Sequence, residues 1–292
     1  MKHRNALSRR DLLHSVGAVA ATELLGSSHE VGAPGASPSS TGKGDQPPRI
    51  LALIGDRFHN PDYIRVSLDK LFGELRLPVD YTTNYDHLSR DLLQNYRLFV
   101  FLRDGMIWPG GYLGPADAYN CYEDSLENSA DFPKAEPKNW ISPEQGEAVK
   151  DFVAAGNGLY ALHNNSHVSL SSRAFREVMG GAYIGHPPQR PFKVKVVNKD
   201  HPITQGVHDF MVNDEQHFVI YDKDERNILL RAENIDGLTY EDQGTTSISA
   251  WAHEYGKGRV VFTAVGHNIH ALWQPEYFQV QKNAVRWLLN MS

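Results

Sequence analysis

Cysteine is nearly absent from this chain of 292 residues. A lone Cys121 excludes an internal disulfide and any thiolate-rich metal site. Basic blocks are missing too. Residues 46–292 hold 24 Lys and Arg against 31 Asp and Glu, a net of −7, so neither a nucleic-acid partner nor an anionic membrane surface is expected. Long apolar runs are equally scarce. The N-terminal stretch Val16 to Leu25 is interrupted by Glu23 and falls far short of the ~20 residues that a membrane span needs, so no span is expected.

What the first residues do carry is a pair of arginines. Ser8-Arg9-Arg10-Asp11-Leu12-Leu13, followed by that apolar stretch and then small residues, resembles a twin-arginine export signal. Residues 1–25 are read as the signal, with a periplasmic or extracellular location as the expectation. Residues 26–48 are rich in Gly, Ser and Pro and read as a flexible linker. The folded domain is expected over residues 49–292.

Within that domain the apolar residues alternate between two patterns. Ile50 to Ile54, Leu98 to Leu102 and Leu159 to Leu162 are continuous runs, as strands buried on both faces require, and Val79 to Thr83 is a further strand. Between the first two, Ile64, Leu68, Leu71, Phe72 and Leu75 recur at helical spacing. Ser142-Pro143-Glu144-Gln145 predicts a capped helix start that feeds the third run, with Gly156 as its C-terminal glycine. Strands alternating with helices indicate a doubly wound, mostly parallel α/β sheet. Phe192 to Val197, Phe218 to Tyr221, and a hairpin around Gly256-Lys257-Gly258 add strands, and a helix bearing Tyr277, Val280, Ala284 and Trp287 on one face closes the chain. The inserted loop from Arg103 to Trp140 breaks the periodicity and carries Trp108, Tyr112, Tyr119, Tyr122 and Trp140. It reads either as a lid offering aromatic faces or as an insertion that buries them.

Polar side chains collect where these strands end. His59 follows the first strand, His163 and Asn164 follow Leu162, and His186, Glu215 and His267 each lie beside another strand terminus. In open α/β sheets that rim is where ligands bind. His163, His186, Glu215 and His267 are the candidate catalytic set. Three imidazoles and a carboxylate suit either a divalent metal or metal-free acid/base chemistry, and the four are too scattered along the chain for spacing to choose. Taken singly, each is equally consistent with a hydrogen-bonded structural residue. His59, Asn164 and Trp251 are the candidate substrate contacts, Trp251 as a stacking face for a sugar with core burial as its alternative. His201 and His217 are left outside the set.

Several stretches together resemble the trehalose-utilisation (ThuA-like) family, whose fold is similar to the flavodoxin-like and class I glutamine amidotransferase-like group. They are Ser142 to Gln145 through Gly158 to His163, Gly181-Ala182-Tyr183 to Gly185-His186-Pro187, Asp200 to Thr204, Asp214-Glu215, and Ala250-Trp251 with Tyr255 to Val260 and Gly266-His267. An amidotransferase of this fold would place a nucleophilic cysteine where this chain has His163, so thiolate-driven glutamine hydrolysis is excluded. Asn164-Asn165 stands where members often have a Ser-Ala pair. With the twin-arginine stretch and the polar groups at the strand ends, the resemblance implies an exported enzyme acting on a sugar or an oxidised (keto) sugar by acid/base or metal-assisted chemistry, with His163 and Glu215 as the proton-transfer pair. A small-molecule carbohydrate is the expected partner, and no nucleotide cofactor is expected. The alternative is a non-catalytic sugar-binding or interaction module on the same fold. The sequence does not fix the oligomeric state.

Overall fold

Continuous apolar runs become strands here because helices cover both sides of them. The computed structural model describes residues 48–107 and 137–291. In chain order it begins with β1 (Ile50–Ile54), α1 (Pro61–Leu75), β2 (Val79–Thr82), α2 (Arg90–Leu93) and β3 (Leu98–Leu102). The short strands β4 (Met106–Ile107) and β5 (Lys138–Asn139) pair with each other and precede α3 (Pro143–Ala154), β6 (Gly158–Leu162) and α4 (Arg173–Met179). Five more strands follow: β7 (Gly181–Gly185), β8 (Arg190–Val196), β9 (Phe210–Asp214), β10 (Phe218–Tyr221) and β11 (Ile228–Asn234). The hairpin β12 (Thr246–Tyr255) and β13 (Gly258–Thr263) leads to α5 (Ile269–Leu272) and α6 (Pro275–Leu289).

Nine of the strands form one mixed sheet in the order β2-β1-β3-β6-β13-β12-β11-β8-β9. The half from β2 to β13 is parallel, as the alternation of strands and helices requires. From β13 outward every pairing is antiparallel. In β1 and β3, Ile50, Ala52, Ile54, Leu98, Val100 and Leu102 pack in one core together with α1 and α6. Their neighbours Leu51, Leu53, Phe99 and Phe101 pack in the other, with α3 and α4. Two apolar faces per strand explain why these segments read as unbroken runs.

The helix starts follow from local chemistry. Ser142 Oγ accepts the Gln145 amide at 3.2 Å while Gln145 Oε1 accepts the Ser142 amide at 2.9 Å. This capping box, with Pro143 in the first turn, satisfies two amides that no helical carbonyl reaches. It holds α3 at a fixed angle, and α3 delivers the chain into β6.

The expected signal over residues 1–25 and nearly all of the linker lie outside the described residues, as do Trp108, Tyr112, Tyr119, Cys121 and Tyr122. Trp140, the last aromatic of the inserted segment, is described, and it is not a lid residue. Its ring is buried against Tyr85 and Phe101, and its indole donates to the Asp104 carbonyl at 2.7 Å. Among the described residues no helix is long and apolar enough to cross a membrane.

Candidate functional site

The carboxyl end of the parallel half opens into a crevice of about 530 Å³, lined by His59, Asp104, Asn164, His167, Tyr183, His186, Glu215, His217 and His267 among others. They come from several different elements. Asp56 and His59 follow β1, Asp104 follows β3, His163 to His167 follow β6, His186 follows β7, and His267 follows β13.

The far edge strand β9 also reaches this place, although four strands separate it from β6 in the sheet. Its last residue, Asp214, accepts the amide of Gly266 at 2.6 Å and that of His267 at 3.1 Å. The antiparallel half therefore coils back upon the parallel half. That closure brings Glu215, the next residue, into the crevice opposite the β6 terminus.

His163 occupies the turn that leaves β6 with a left-handed backbone, φ 53°. Residues other than glycine hold that conformation at a cost of roughly 1–3 kcal/mol. The turn approaches Gly266 so closely that a Cβ there would stand 2.9 Å from His163 Cβ. The His163 ring is fully buried. Its Nδ1 donates to the Ala264 carbonyl at 2.7 Å, an oxygen that can only accept, so Nε2 of the neutral ring carries a lone pair. Nε2 has no hydrogen-bond partner among the described residues and stands 3.4 Å from Glu215 Oε2.

Other imidazoles surround the same oxygen. His217 Nε2 lies 3.4 Å from Glu215 Oε2, His267 Nδ1 3.2 Å and His186 Nε2 3.6 Å. His59 Nε2 sits 3.2 Å from His267 Nδ1. Two of these rings are oriented as His163 is. His59 Nδ1 donates to Asp56 Oδ1 at 2.9 Å, and His186 Nδ1 to the Pro187 carbonyl at 2.9 Å. In both, the second nitrogen faces inward. His217 stacks on His163 with centroids 4.1 Å apart and on His186 at 5.0 Å.

The charge states follow from burial and from these neighbours. Burial pushes the His163 ring below its ordinary range, and Glu215 only partly opposes it. Burial lowers the His217 ring further. Burial alone would raise the Glu215 carboxyl, but the imidazoles of His163, His217 and His267 around it outweigh that and hold it low. Asp56 is similar: burial raises it, while His59, Asn164 Nδ2 and the Asp104 amide bring it below the ordinary range. Burial thus favours uncharged His163 and His217 beside the Glu215 carboxylate, while at His267 burial is outweighed by Glu215, Asp214 and Asp56, which raise the ring above its ordinary range.

That arrangement suits a cation. Ligand atoms about 2.1 Å from a tetrahedral centre stand about 3.4 Å apart, which the separations around Glu215 Oε2 match. His59, His163, Glu215 and His267 offer one set of atoms within 4.8 Å of one another, and His186, Glu215 and His217 a second. Rings whose other nitrogen is tied to a carbonyl or carboxylate are characteristic of metal ligands.

Of the four residues singled out as catalytic from the sequence, His186, Glu215 and His267 line one crevice with His59 and Asn164 beside them, and His163 lies buried behind it with Nε2 3.4 Å from Glu215 Oε2. Trp251 does not join them. Its side chain is fully buried, stacked near Phe262 with its indole donating to the Met179 carbonyl at 2.9 Å. Being in the middle of an antiparallel strand with core on that face, it is structural and has no surface to offer a sugar. His201 packs on Trp287, outside the crevice. His217, which the sequence reading left aside, belongs to the cluster, and Asp56, Asp104 and His167 were also missed. Asp56 and Asp104 each follow an apolar strand run, and that position was the available signal. His163 and His167 have the four-residue spacing that would align them on an α-helix, but the segment is a 3-10 helix and His167 turns toward Asp104 instead.

Among solved structures the fold is similar to a ThuA-like protein from Bacteroides uniformis, at 14% identity and TM-score 0.59, covering 87% of this chain and 95% of that one. A ThuA-like protein from Parabacteroides merdae is comparable, with 16% identity, TM-score 0.59, and 84% and 90% of the two chains. A cytoplasmic protein of Salmonella typhimurium matches at 14% identity and TM-score 0.51, over 82% of this chain and 99% of that one. No curated protein sequence matches the chain. The model of the family described as ThuA, trehalose utilisation, matches residues 56–288, a span that contains every residue of the crevice, and the chain belongs to that family.

Proposed function

We propose that this protein is an exported carbohydrate-processing enzyme in which His59, His163, Glu215 and His267 hold one divalent cation and the crevice takes a keto sugar. The observation that carries the reading is the buried His163 Nε2, a lone pair without a hydrogen-bond partner among the described residues, aimed at a carboxylate. Two acceptors facing each other in a largely buried site repel unless a proton or a cation lies between them. Such a cation supplies Lewis acidity to a carbonyl or hydroxyl oxygen. The family's trehalose-utilisation description supports a carbohydrate substrate, and the crevice volume falls in the range of small-ligand sites. In this reading His163 and Glu215 hold the cation, and proton transfer falls to other groups.

Elemental analysis of purified protein tests the assignment. About one equivalent of a divalent metal is expected, falling at least tenfold in occupancy in His163→Ala and Glu215→Gln. Turnover of trehalose oxidised to a ketone at one ring carbon should fall with it. No bound metal after incubation with zinc, manganese or cobalt, together with unchanged turnover in both variants, sinks the proposal. Tight binding of an unaltered sugar with no product by mass spectrometry would favour the binding module instead.

Export rests on the Arg9-Arg10 pair. Replacing both with lysine should strand the protein in the cytoplasm, and fractionation that still finds it outside would remove the twin-arginine assignment.

A further inference from the structure

One pair of titratable side chains in the crevice takes no part in the imidazole–carboxylate cluster. Asp104 and His167 both line the cavity, with side-chain exposures of 14% and 22%. His167 Nδ1 lies 3.6 Å from Asp104 Oδ1, and it is buried without a hydrogen-bond partner among the described residues. A buried imidazole nitrogen facing a carboxylate is placed to exchange a proton with it once a ligand draws the two together.

The surroundings hold both groups in place. The Asp104 amide donates to Asp56 Oδ2 at 2.8 Å, its Oδ1 accepts the Met106 amide at 2.7 Å, and its carbonyl accepts the Trp140 indole at 2.7 Å. Next to it, Gly105 lets the imidazole lie against the turn: a Cβ there would stand 2.8 Å from His167 Nδ1. The ring's other neighbour is Tyr183, with centroids 5.4 Å apart. Neither residue belongs to the sets of atoms that converge on Glu215.

We infer that Asp104 and His167 form the proton-transfer pair of this crevice, with Asp104 as the base toward a carbon next to the carbonyl of a keto sugar. The inference rests on the functional reading above. In the step, the C–H bond breaks as an O–H bond forms on Asp104, and the electron pair moves into a carbon–carbon double bond while the carbonyl π pair moves onto oxygen. Return of the proton to the neighbouring carbon, with the hydroxyl proton of the first carbon passing to the former carbonyl oxygen, gives an isomer; protonation of the same carbon from the other face by water, with the Asp104 proton released to solvent, gives an epimer. Either way the carboxylate is regenerated and no oxidant or reductant is consumed. His167, beside the carboxylate, passes the proton to or from solvent.

The groups facing Asp104 suit it to this task. Burial pushes its carboxyl up to about 6, the charge of His167 opposes the rise, Asp56 adds to it, and the Met106 amide and Arg103 oppose it. Tyr183 also faces it. An acid that titrates close to working pH can both take and return a proton.

The test uses the metal-loaded protein and its Asp104→Asn and His167→Gln variants, with trehalose oxidised to a ketone at one ring carbon as probe. Carbon-13 NMR should show one carboxyl titrating near pH 6 that vanishes in Asp104→Asn and moves to higher pH in His167→Gln. In heavy water the parent protein should wash deuterium into the carbon beside the ketone. Asp104→Asn should slow that exchange by about 100-fold or more with bound metal unchanged, and His167→Gln by less. Absence of the titrating carboxyl, exchange in Asp104→Asn within about threefold of the parent, or loss of metal in that variant each overturns the pair. A parent protein that shows the carboxyl titration but exchanges no hydrogen overturns the functional reading, and the role of Asp104 with it.

Discussion

Asp214 Oδ2 accepts the amide of Gly266 at 2.6 Å, so the residue that precedes Glu215 also fixes the turn that carries His267. One buried carboxylate thereby sets the distance between two parts of the cluster that lie about fifty residues apart in the chain. Burial raises the Asp214 carboxyl above its ordinary range, so its worth lies in accepting both amides rather than in its charge. Asp214→Asn turns an N–H toward one of them, and a buried donor left unsatisfied costs roughly 1–3 kcal/mol, so stability should fall by about 2 kcal/mol. Outer groups of a metal site typically control 10–100-fold in affinity, so metal binding should weaken by that order. Urea unfolding and a competitive chelator titration measure the two, and unchanged metal affinity would mean that the turn needs no help from Asp214.

His253 predicts a pH dependence far from the cluster. Its Nε2 donates to the Val178 carbonyl at 3.0 Å and its Nδ1 accepts from Tyr221 at 3.3 Å. Burial lowers the ring to about 4. The unfolded chain binds this proton near the ordinary value of about 6.5, the folded chain only near 4. Between those values the unfolded state holds more protons, so stability falls as pH drops. Above that window His253 costs nothing, and below it the loss is complete at ~3 kcal/mol. His253→Gln should therefore be less stable than the parent at pH 7 yet flatten the decline between pH 6.5 and 4. Urea midpoints at several pH values check this, and parallel acid limbs in the two proteins would refute it.

Trp251→Phe separates core from site. The substitution removes the indole bond to Met179 and leaves a void beside Phe262 and Gly181, where the fit is close enough that a Cβ on Gly181 would meet the Trp251 ring at 2.9 Å. A loss of about 2 kcal/mol is expected, with metal content and sugar affinity unchanged. Calorimetric binding that weakened along with stability would return Trp251 to the site.

Ile50 to Ile54, Leu98 to Leu102 and Leu159 to Leu162 were legible as strands because burial on both faces leaves no polar position to blur the run. The start of α3 was legible for a similar reason: the serine and glutamine that satisfy its first amides are neighbours in the chain. The ends of these strands marked His59, His163 and Asn164, since a parallel sheet opens its ligand crevice at that rim. Trp251 was open both to a sugar contact and to the core because one strand does not say which side meets the core, and the structure buries it. His217 was passed over because its neighbours alone do not show which way a ring at the start of β10 points.

Local chemistry in the sequence by itself determined the strands, the capped helix and the reservoir of histidines that follows them, since apolar runs and caps act between residues close in the chain. The tertiary structure alone decided that β9, on the far edge, coils back so that Glu215 stands among imidazoles from β6, β7 and β13, and that Asp104 faces His167. Those meetings depend on sheet twist and closure, which sum small rotations over many strands and leave no trace in the spacing of any one segment.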